Sequence, residues 1–339
     1  MKESLIITDA QVRASVTLDE AIQCVEETWR WHGEGKVIMP PKITTDMASM
    51  GVHGWFNSMP SYIGPLDTAG IKVVGGYADN PGRGLPFIRS NVLLLDPHDG
   101  RLRALVCGDW ISNARTGAQP AIAMKYLAAS TDVLTIIGAG QQAAYCVRCI
   151  TKLHRIRQLR VCDIRPEARE RFAAKFAGLG FEVVPCETNQ DGCEGADVII
   201  TITTANAPLV REAWCKPGCL VLTMGSYTET DDDVALAFDR LFIDHAAQGL
   251  HRGNFKEMAD RGIVSRESIE AELPEIVCGR RPGRVDPHDR ILCELVGMGS
   301  PDLCIATKVY NAIVEGGAPG VVKVDMAGEE KSMEGNDAK

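Results

Sequence analysis

The run Thr135-Ile136-Ile137-Gly138-Ala139-Gly140-Gln141-Gln142-Ala143 decides the fold. It fits G-x-G-x-x-A, directly after an apolar stretch (Val133–Ile137) and directly before a helical pattern (Gln141–Leu153). At such a strand-to-helix junction the first glycine permits a tight turn and the second lets backbone approach a pyrophosphate. The small third residue keeps the helix close to the sheet. The helix start offers unpaired N–H donors to an anion. Asp163 ends the next apolar stretch, where a carboxylate accepts hydrogen bonds from an adenosine ribose and repels a 2′-phosphate. Gly138, Ala139, Gly140, Gln141, Gln142 and Asp163 are therefore expected to hold a dinucleotide, with NAD favoured over NADP. Arg165 is counted with them, as the nearby group that would attract a 2′-phosphate.

Strands and helices alternate outward from this junction. Apolar runs at Leu159–Asp163, Glu182–Pro185, Asp197–Thr201, Cys219–Met224 and Arg240–Asp244 are separated by helical patterns such as Pro166–Leu179. That alternation predicts an α/β Rossmann fold, a doubly wound parallel sheet covered on both faces. Thr203 and Thr204, and Gly225 and Ser226, follow two of these strands and belong at the carboxyl edge, where the nicotinamide side is expected. Before the junction the texture differs. A capping box, Thr17 with Glu20, opens a helix carrying Leu18, Ile22, Val25 and Trp29 on one face. From Lys42 to Cys107, short strands punctuated by Gly and Pro predict a mainly antiparallel sheet. Helix is predicted over Pro120–Ala129, with the proline in its first turn, and again from Pro301 to Ala312. After the strand ending at Asp244 the pattern is helical. The division expected is a substrate and dimerisation domain of 1–118 plus 305–326, a Rossmann domain of 119–304 inserted in it, and a disordered tail over 327–339.

Composition narrows the function. The chain has 339 residues, 45% hydrophobic and 24% charged, which is ordinary for two globular domains. Its 45 acidic against 36 basic side chains give a net charge of −9, the wrong sign for a nucleic-acid footprint. No apolar run reaches the roughly 20 residues of a membrane span, and Met1–Ile7 is too short for a signal peptide. A cytoplasmic protein with no membrane and no nucleic-acid partner is expected. The 12 cysteines then read as reduced core thiols. Cys146-x-x-Cys149 falls mid-helix without a second pair at zinc-finger spacing, so no metal is expected. Seven scattered histidines show no paired spacing.

Several strings outside the junction resemble one family. They are Gly70-Ile71-Lys72-Val73-Val74, Asn80-Pro81-Gly82-Arg83-Gly84-Leu85-Pro86, Ile111-Ser112-Asn113-Ala114-Arg115-Thr116-Gly117-Ala118, and Gly297-x-Gly299-x-x-Asp302. With Gly138-Ala139-Gly140-x-Gln142-Ala143 they resemble the ornithine cyclodeaminase/mu-crystallin family over nearly the whole chain. The resemblance implies a homodimer and hydride transfer between NAD(P)H and the C=N of an α-imino acid. It also implies that Lys72 and Arg115 hold the substrate carboxylate, with Lys72 the catalytic proton-transfer group, and that Arg115, Thr116, Gly297 and Asp302 lie toward the nicotinamide. An arginine fork suits a carboxylate, and a desolvated lysine suits proton transfer.

Two departures from the family bear on the chemistry. Many members carry arginine where Lys42 stands, so this substrate-binding position keeps its charge but loses bidentate geometry. Cyclodeaminases have an aspartate in the loop that here reads Gly225-Ser226-Tyr227-Thr228-Glu229-Thr230-Asp231. Tyr227 takes its place, with Glu229 or Asp231 as substitutes only if the loop shifts. The reading is therefore an imine reductase or amino-acid dehydrogenase, with two alternatives. One is an ornithine or lysine cyclodeaminase recycling its NAD; the other is a non-catalytic NAD(P)H and ligand binder. Arg89, with Asn91 on the same strand face, is a candidate second carboxylate contact, which would suit a dicarboxylic imine such as iminosuccinate. Asp109 is a candidate to orient Arg115.

Overall fold

The computed structural model describes residues 3–326, and the tail expected over 327–339 lies outside them. Among the described residues the chain builds two eight-stranded sheets. The first contains β1 (Glu3–Ile7), β2 (Val37–Ile38), β3 (Ile43–Asp46), β4 (Gly54–Ile63), β5 (Thr68–Tyr77), β6 (Ile88–Leu95), β7 (Leu102–Cys107) and β16 (Val322–Asp325), in the order β16-β1-β7-β6-β5-β4-β2 with β3 on β4. Its neighbours are antiparallel except β1 and β7. The expected strands are all present. The closing pair β1 and β16 is not legible in the sequence, since four or five residues cannot show a period.

Register on this sheet decides which side chains can meet. Lys72 pairs with Met59 on one side and Val92 on the other, and Arg89 pairs with Gly75. Side chains alternate faces along a strand. Lys72 therefore shares its buried face with Val74, Ser90 and Val92, whereas Arg89 and Asn91 are exposed. The C-terminal helix Ser300–Gly316 packs against β4, β5 and β6, which carries Asp302, in its first turn, toward Lys72.

The second sheet is wholly parallel: β8 (Val133–Ile137), β9 (Gln158–Cys162), β10 (Glu182–Cys186), β11 (Val198–Thr201), β12 (Leu220–Thr223), β13 (Arg240–Ile243), β14 (Ile269–Glu272) and β15 (Ile291–Glu294). Its order, β10-β9-β8-β11-β12-β15-β13-β14, is the doubly wound pattern expected. The helical reading of the region after Asp244 is corrected by two strands, β14 beside β13 at the sheet edge and β15. β15 slots between β12 and β13, yet four residues ending in a buried acid give no strand signal of their own.

Helices α1 (Asp9–Ser15) and α2 (Leu18–Gly33) follow β1, and α3 (Asp109–Leu127) carries the chain from the first sheet to the second. The predicted box is present on α2, where the Thr17 hydroxyl accepts from Glu20 N at 3.3 Å and the Glu20 carboxylate accepts from Thr17 N at 2.8 Å. α3 corrects the expected helix start. It begins at Asp109 and carries Pro120 in its interior. An interior proline costs about 3 kcal/mol. Here nearly every side chain from Trp110 to Met124 is buried, so packing on both sides outweighs it. The division at 118/119 falls inside α3, which touches both β6 and β12, and that at 304/305 falls inside Ser300–Gly316.

Candidate active site

A cleft of about 1410 Å³ opens between the carboxyl edge of the parallel sheet and the first sheet. The glycine-rich turn forms one wall. Gly138 has φ +108, and a Cβ there would sit 2.5 Å from the Ile202 carbonyl oxygen, so only glycine fits. Gly140 is the reverse case: a Cβ there would meet nothing within 4 Å. Its importance is toward whatever enters the cleft. It also starts α4 (Gln141–Leu153), whose first turn has no side-chain cap and presents its N–H groups to the cleft.

Asp163 stands at the end of β9, beside this turn. Its carboxylate accepts from Ala139 N at 2.9 Å and Arg165 N at 3.0 Å. Burial pulls its pKa up, but these bonds and the Arg165 charge prevail and hold it low. The carboxylate is thus charged, and it ties the turn to the next strand. Arg165 lies against Asp163 itself at 3.4 Å. Ile164, 95% exposed and lining the same end, offers an apolar face to a base. An uncapped helix start, a bare glycine and an ionised ribose-side carboxylate together fit a dinucleotide.

At the other end Thr203, Thr204, Gly225, Ser226 and Gly297 line the cleft. Their loops are tied together by Glu229, a buried carboxylate that accepts from Gly225 N (2.7 Å), Thr201 Oγ1 (2.7 Å), Met224 N (3.1 Å) and Thr203 N (3.2 Å). Burial raises its pKa despite these donors. Glu229 is therefore a loop clasp, turned inward and unable to serve as the substitute acid. Asp231 pairs with Arg211 at 3.2 Å. Tyr227 lines the cleft beside Ser226 and is 44% exposed.

Beneath this end lies a buried polar floor. Lys72 Nζ donates to Asp302 Oδ1 at 2.5 Å and to Ser112 Oγ at 3.0 Å. Arg115 Nε lies 3.1 Å from the other oxygen of Asp302, and its Nη1 donates to Gln119 Oε1 at 3.0 Å. Burial, with Arg115 alongside, lowers Lys72 to about 7 against the pull of Asp302. Lys72 does not line the cleft, but Ser112 does. Asp302, expected toward the nicotinamide, instead bridges the two cations.

Asp244 continues the floor. It accepts from Gly297 N at 2.8 Å, Val296 N at 3.1 Å and Gln119 Nε2 at 3.2 Å, and burial raises it to about 6. Lys42 donates to the Val296 carbonyl at 2.7 Å, and burial with Arg252 nearby lowers it to about 7. Asp244 and Gln119 escape sequence reasoning, since neither stands in a motif. The one available signal was an acid directly ending an apolar strand, Leu241–Ile243.

Every expected cofactor residue lines this cleft: Arg115, Thr116, Gly138 to Gln142, Asp163, Arg165, Thr203, Thr204, Gly225, Ser226 and Gly297. The substrate candidates divide. Lys42, Arg89 and Arg115 line it, whereas Asn91 does not and faces away from Lys72. Arg89 reaches the rim, half-exposed, and pairs with Asp109 at 3.3 Å. Asp109 also accepts from Ser90 N, so it orients Arg89 rather than Arg115. A further cation, Arg252, lines the cleft without having been expected. Cys146 and Cys149 are free and buried on α4, and burial pushes Cys149 up to about 12.

Residues 2–317 match the model of the ornithine cyclodeaminase/mu-crystallin family. The ketimine reductase mu-crystallin of Rattus norvegicus is 32% identical over 306 residues, 89% of this chain and 93% of that protein. Among solved structures, the Delta(1)-pyrroline-2-carboxylate reductase of Thermococcus litoralis, in complex with NADH and L-proline, has a TM-score of 0.86 at 29% identity. The match covers 93% of this chain and 98% of that one. An archaeal alanine dehydrogenase dimer with bound NAD has a TM-score of 0.88 at 26% identity, covering 94% and 99%.

Proposed function

The chain belongs to the ornithine cyclodeaminase/mu-crystallin family, and from that membership we propose how its site reduces the C=N bond of a small α-imino acid. It is an NAD-dependent oxidoreductase of imines and amino acids, like the relatives it resembles. The observation that carries the reading is the buried Lys72–Asp302–Arg115 group set below the end of the cleft opposite Asp163.

When bound, the nicotinamide supplies the hydride. The chain's own residues do the rest. With Nε on Asp302 and Nη1 on Gln119, Arg115 has Nη2 left for the α-carboxylate of the substrate. Lys72, poised near neutrality, supplies the proton that the imine nitrogen needs through the Ser112 hydroxyl, which it already bonds and which lines the cleft. In the reverse direction the same pair takes the proton back. Asp302 keeps both cations in place, so positioning supplies part of the rate.

A cyclodeaminase needs a second acid on the cleft to handle the departing amine. Glu229 is occupied by backbone donors and Asp231 by Arg211, and Tyr227 stands at the cleft instead. This favours the reductase. A homodimer in the cytoplasm is part of the proposal. It is supported by the dimeric archaeal relative and by exposed Ile38, Ile43, Met50 and Val52 along the β2–β4 edge. Among the described residues no helix is long and apolar enough to cross a membrane.

The test is NADH absorbance with purified protein. Pyruvate, glyoxylate and oxaloacetate, each with ammonium, are followed by cyclic imino acids, with L-ornithine plus NAD as the lyase control. NADH oxidation that requires an imine is expected. Ammonia from ornithine without net NADH change would overturn the reading in favour of the lyase.

A further inference from the structure

The cations around the cleft are not equivalent. Arg13, Arg89, Arg115, Arg165 and Lys256 line it, and each is ion-paired with a carboxylate of the chain: Asp9, Asp109, Asp302, Asp163 and Asp260. Lys42 and Arg252 have no such partner among the described residues. Both belong to the same corner, where Gln248 accepts from Lys42 N at 3.2 Å four residues before Arg252. Burial lowers the proton affinity of both, and the Arg252 charge adds to the effect on Lys42. An unpaired cation pair at the lip of a site is costly unless something anionic arrives to occupy it.

The neighbours of Arg252 are neutral and aim it. Its Nη1 donates to Thr44 Oγ1 at 2.8 Å and Asn57 Oδ1 at 3.4 Å, and its guanidinium lies 5.9 Å from the Trp55 ring. Thr44 in turn donates to Asn57 at 2.6 Å, which fixes both acceptors on paired strands β3 and β4. Only one guanidinium nitrogen is used this way, leaving Nε and Nη2 for a bidentate carboxylate. Lys42 uses two of its three ammonium donors, on the Val296 and Gly297 carbonyls. Of the acids near this corner, Asp46 accepts from Ala48 N at 2.9 Å, and Asp244, whose charge acts on Lys42, already accepts from Val296 N, Gly297 N and Gln119 Nε2.

We propose that Arg252, backed by Lys42, binds a second carboxylate of the substrate, so that the imine this enzyme is built for is a dicarboxylic α-imino acid. The inference rests on the reductase reading and names its substrate class. Arg115 takes the α-carboxylate, and Arg252 takes the one on the side chain. Arg89 does not fill this role, because Asp109 already neutralises it.

Two measurements test this. The first compares kcat/KM for the imines formed from oxaloacetate and from pyruvate with ammonium. Wild type prefers the dicarboxylate, and Arg252→Leu lowers that preference by about 50-fold, the worth of a charge-assisted hydrogen bond. Arg252→Lys restores part of it. The second titrates L-aspartate and L-alanine into the NADH-loaded protein by calorimetry, where no turnover occurs. Aspartate binds at least about 10-fold tighter, and Arg252→Leu abolishes the difference. Equal preference in wild type overturns the dicarboxylate subsite while leaving the reductase standing. An Arg252→Leu protein that loses both substrates equally, with weakened NADH affinity, marks Arg252 as a strut between the sheets and overturns it too. If no imine oxidises NADH, the reductase reading fails, and the calorimetric arm still decides whether Arg252 selects a second carboxylate.

Discussion

Lys72 Nζ lies 2.5 Å from Asp302 Oδ1, and neither side chain has any solvent exposure. The two come from β5 and the C-terminal helix, 230 residues apart. Removing one partner of such a pair leaves an uncompensated buried charge, at a cost of roughly 3–5 kcal/mol. Asp302→Asn is expected to destabilise the protein by that order at pH 6. The sign of its pH dependence follows from Lys72. Folding depresses the lysine from 10.5 to about 7, so across that window the unfolded chain holds a proton that the folded chain does not. The site's contribution to stability therefore rises with pH and is at its least favourable below about 7. The Asn variant, without the raising influence of Asp302, feels this more strongly. Its deficit in urea midpoint is expected to shrink between pH 6 and pH 9; a constant deficit would show that Lys72 carries no charge in the pair.

Lys72→Met removes the proton donor and leaves the dinucleotide wall intact. We expect kcat for imine reduction to fall at least about 100-fold, within the range for general acid–base catalysis, while NADH affinity by fluorescence stays within about 3-fold. The wild-type pH profile adds a sign. Reduction needs protonated lysine, so kcat/KM falls as pH rises through about 7, and oxidation of the amino acid rises over the same interval. A variant with full turnover would remove Lys72 from the reaction.

Asp163→Asn keeps the shape but loses the charge and one of two acceptor oxygens, since Ala139 N and Arg165 N are held by different oxygens of Asp163. Arg165, paired with Asp163 in the native protein, becomes free to meet a 2′-phosphate. The ratio of NADH to NADPH affinity is expected to fall by about 10- to 100-fold, the size of effect that one charge-assisted hydrogen bond produces. Fluorescence titration with both cofactors reads it, and an unchanged ratio would mean that selection lies elsewhere.

How much of this was legible follows from how far apart the interacting residues stand in the chain. The cofactor wall is local: Gly138, Gly140 and the start of α4 are contiguous, and Asp163 ends the adjacent strand, so motif and period suffice. The floor is not. Asp302, Gln119, Asp244 and Arg252 come from separate segments and meet only after both sheets have formed. Strand alternation put Arg89 and Asn91 on one face correctly. It could not tell that Arg89 would find Asp109 or that Asn91 would miss the cleft. Pro120 misled because local propensity places proline at a helix start, while burial on all sides of α3 overrides that preference. β15 stayed hidden because four residues between buried neighbours carry no period.

Gly138 and Gly140 separate folding from binding within one motif. At Gly138 the backbone has φ +108 and an added Cβ would strike the Ile202 carbonyl oxygen at 2.5 Å. Gly138→Ala thus forces strain on the β8–α4 turn and is expected to lower stability by about 1–3 kcal/mol as well as weakening NADH. At Gly140 the backbone is extended, with φ −82 and ψ −175, and a Cβ meets nothing within 4 Å. Gly140→Val is therefore tolerated by the fold, and its melting temperature is expected to stay within about 2 °C of wild type, since open, extended positions accept β-branched side chains. Its branched side chain nevertheless occupies the space through which a pyrophosphate must approach the α4 N-terminus. NADH affinity is expected to fall at least about 100-fold. The contrast is the informative quantity: loss of NADH binding in a Gly140→Val protein that melts like wild type identifies this turn as the pyrophosphate seat. Retained binding would place the dinucleotide elsewhere in the cleft.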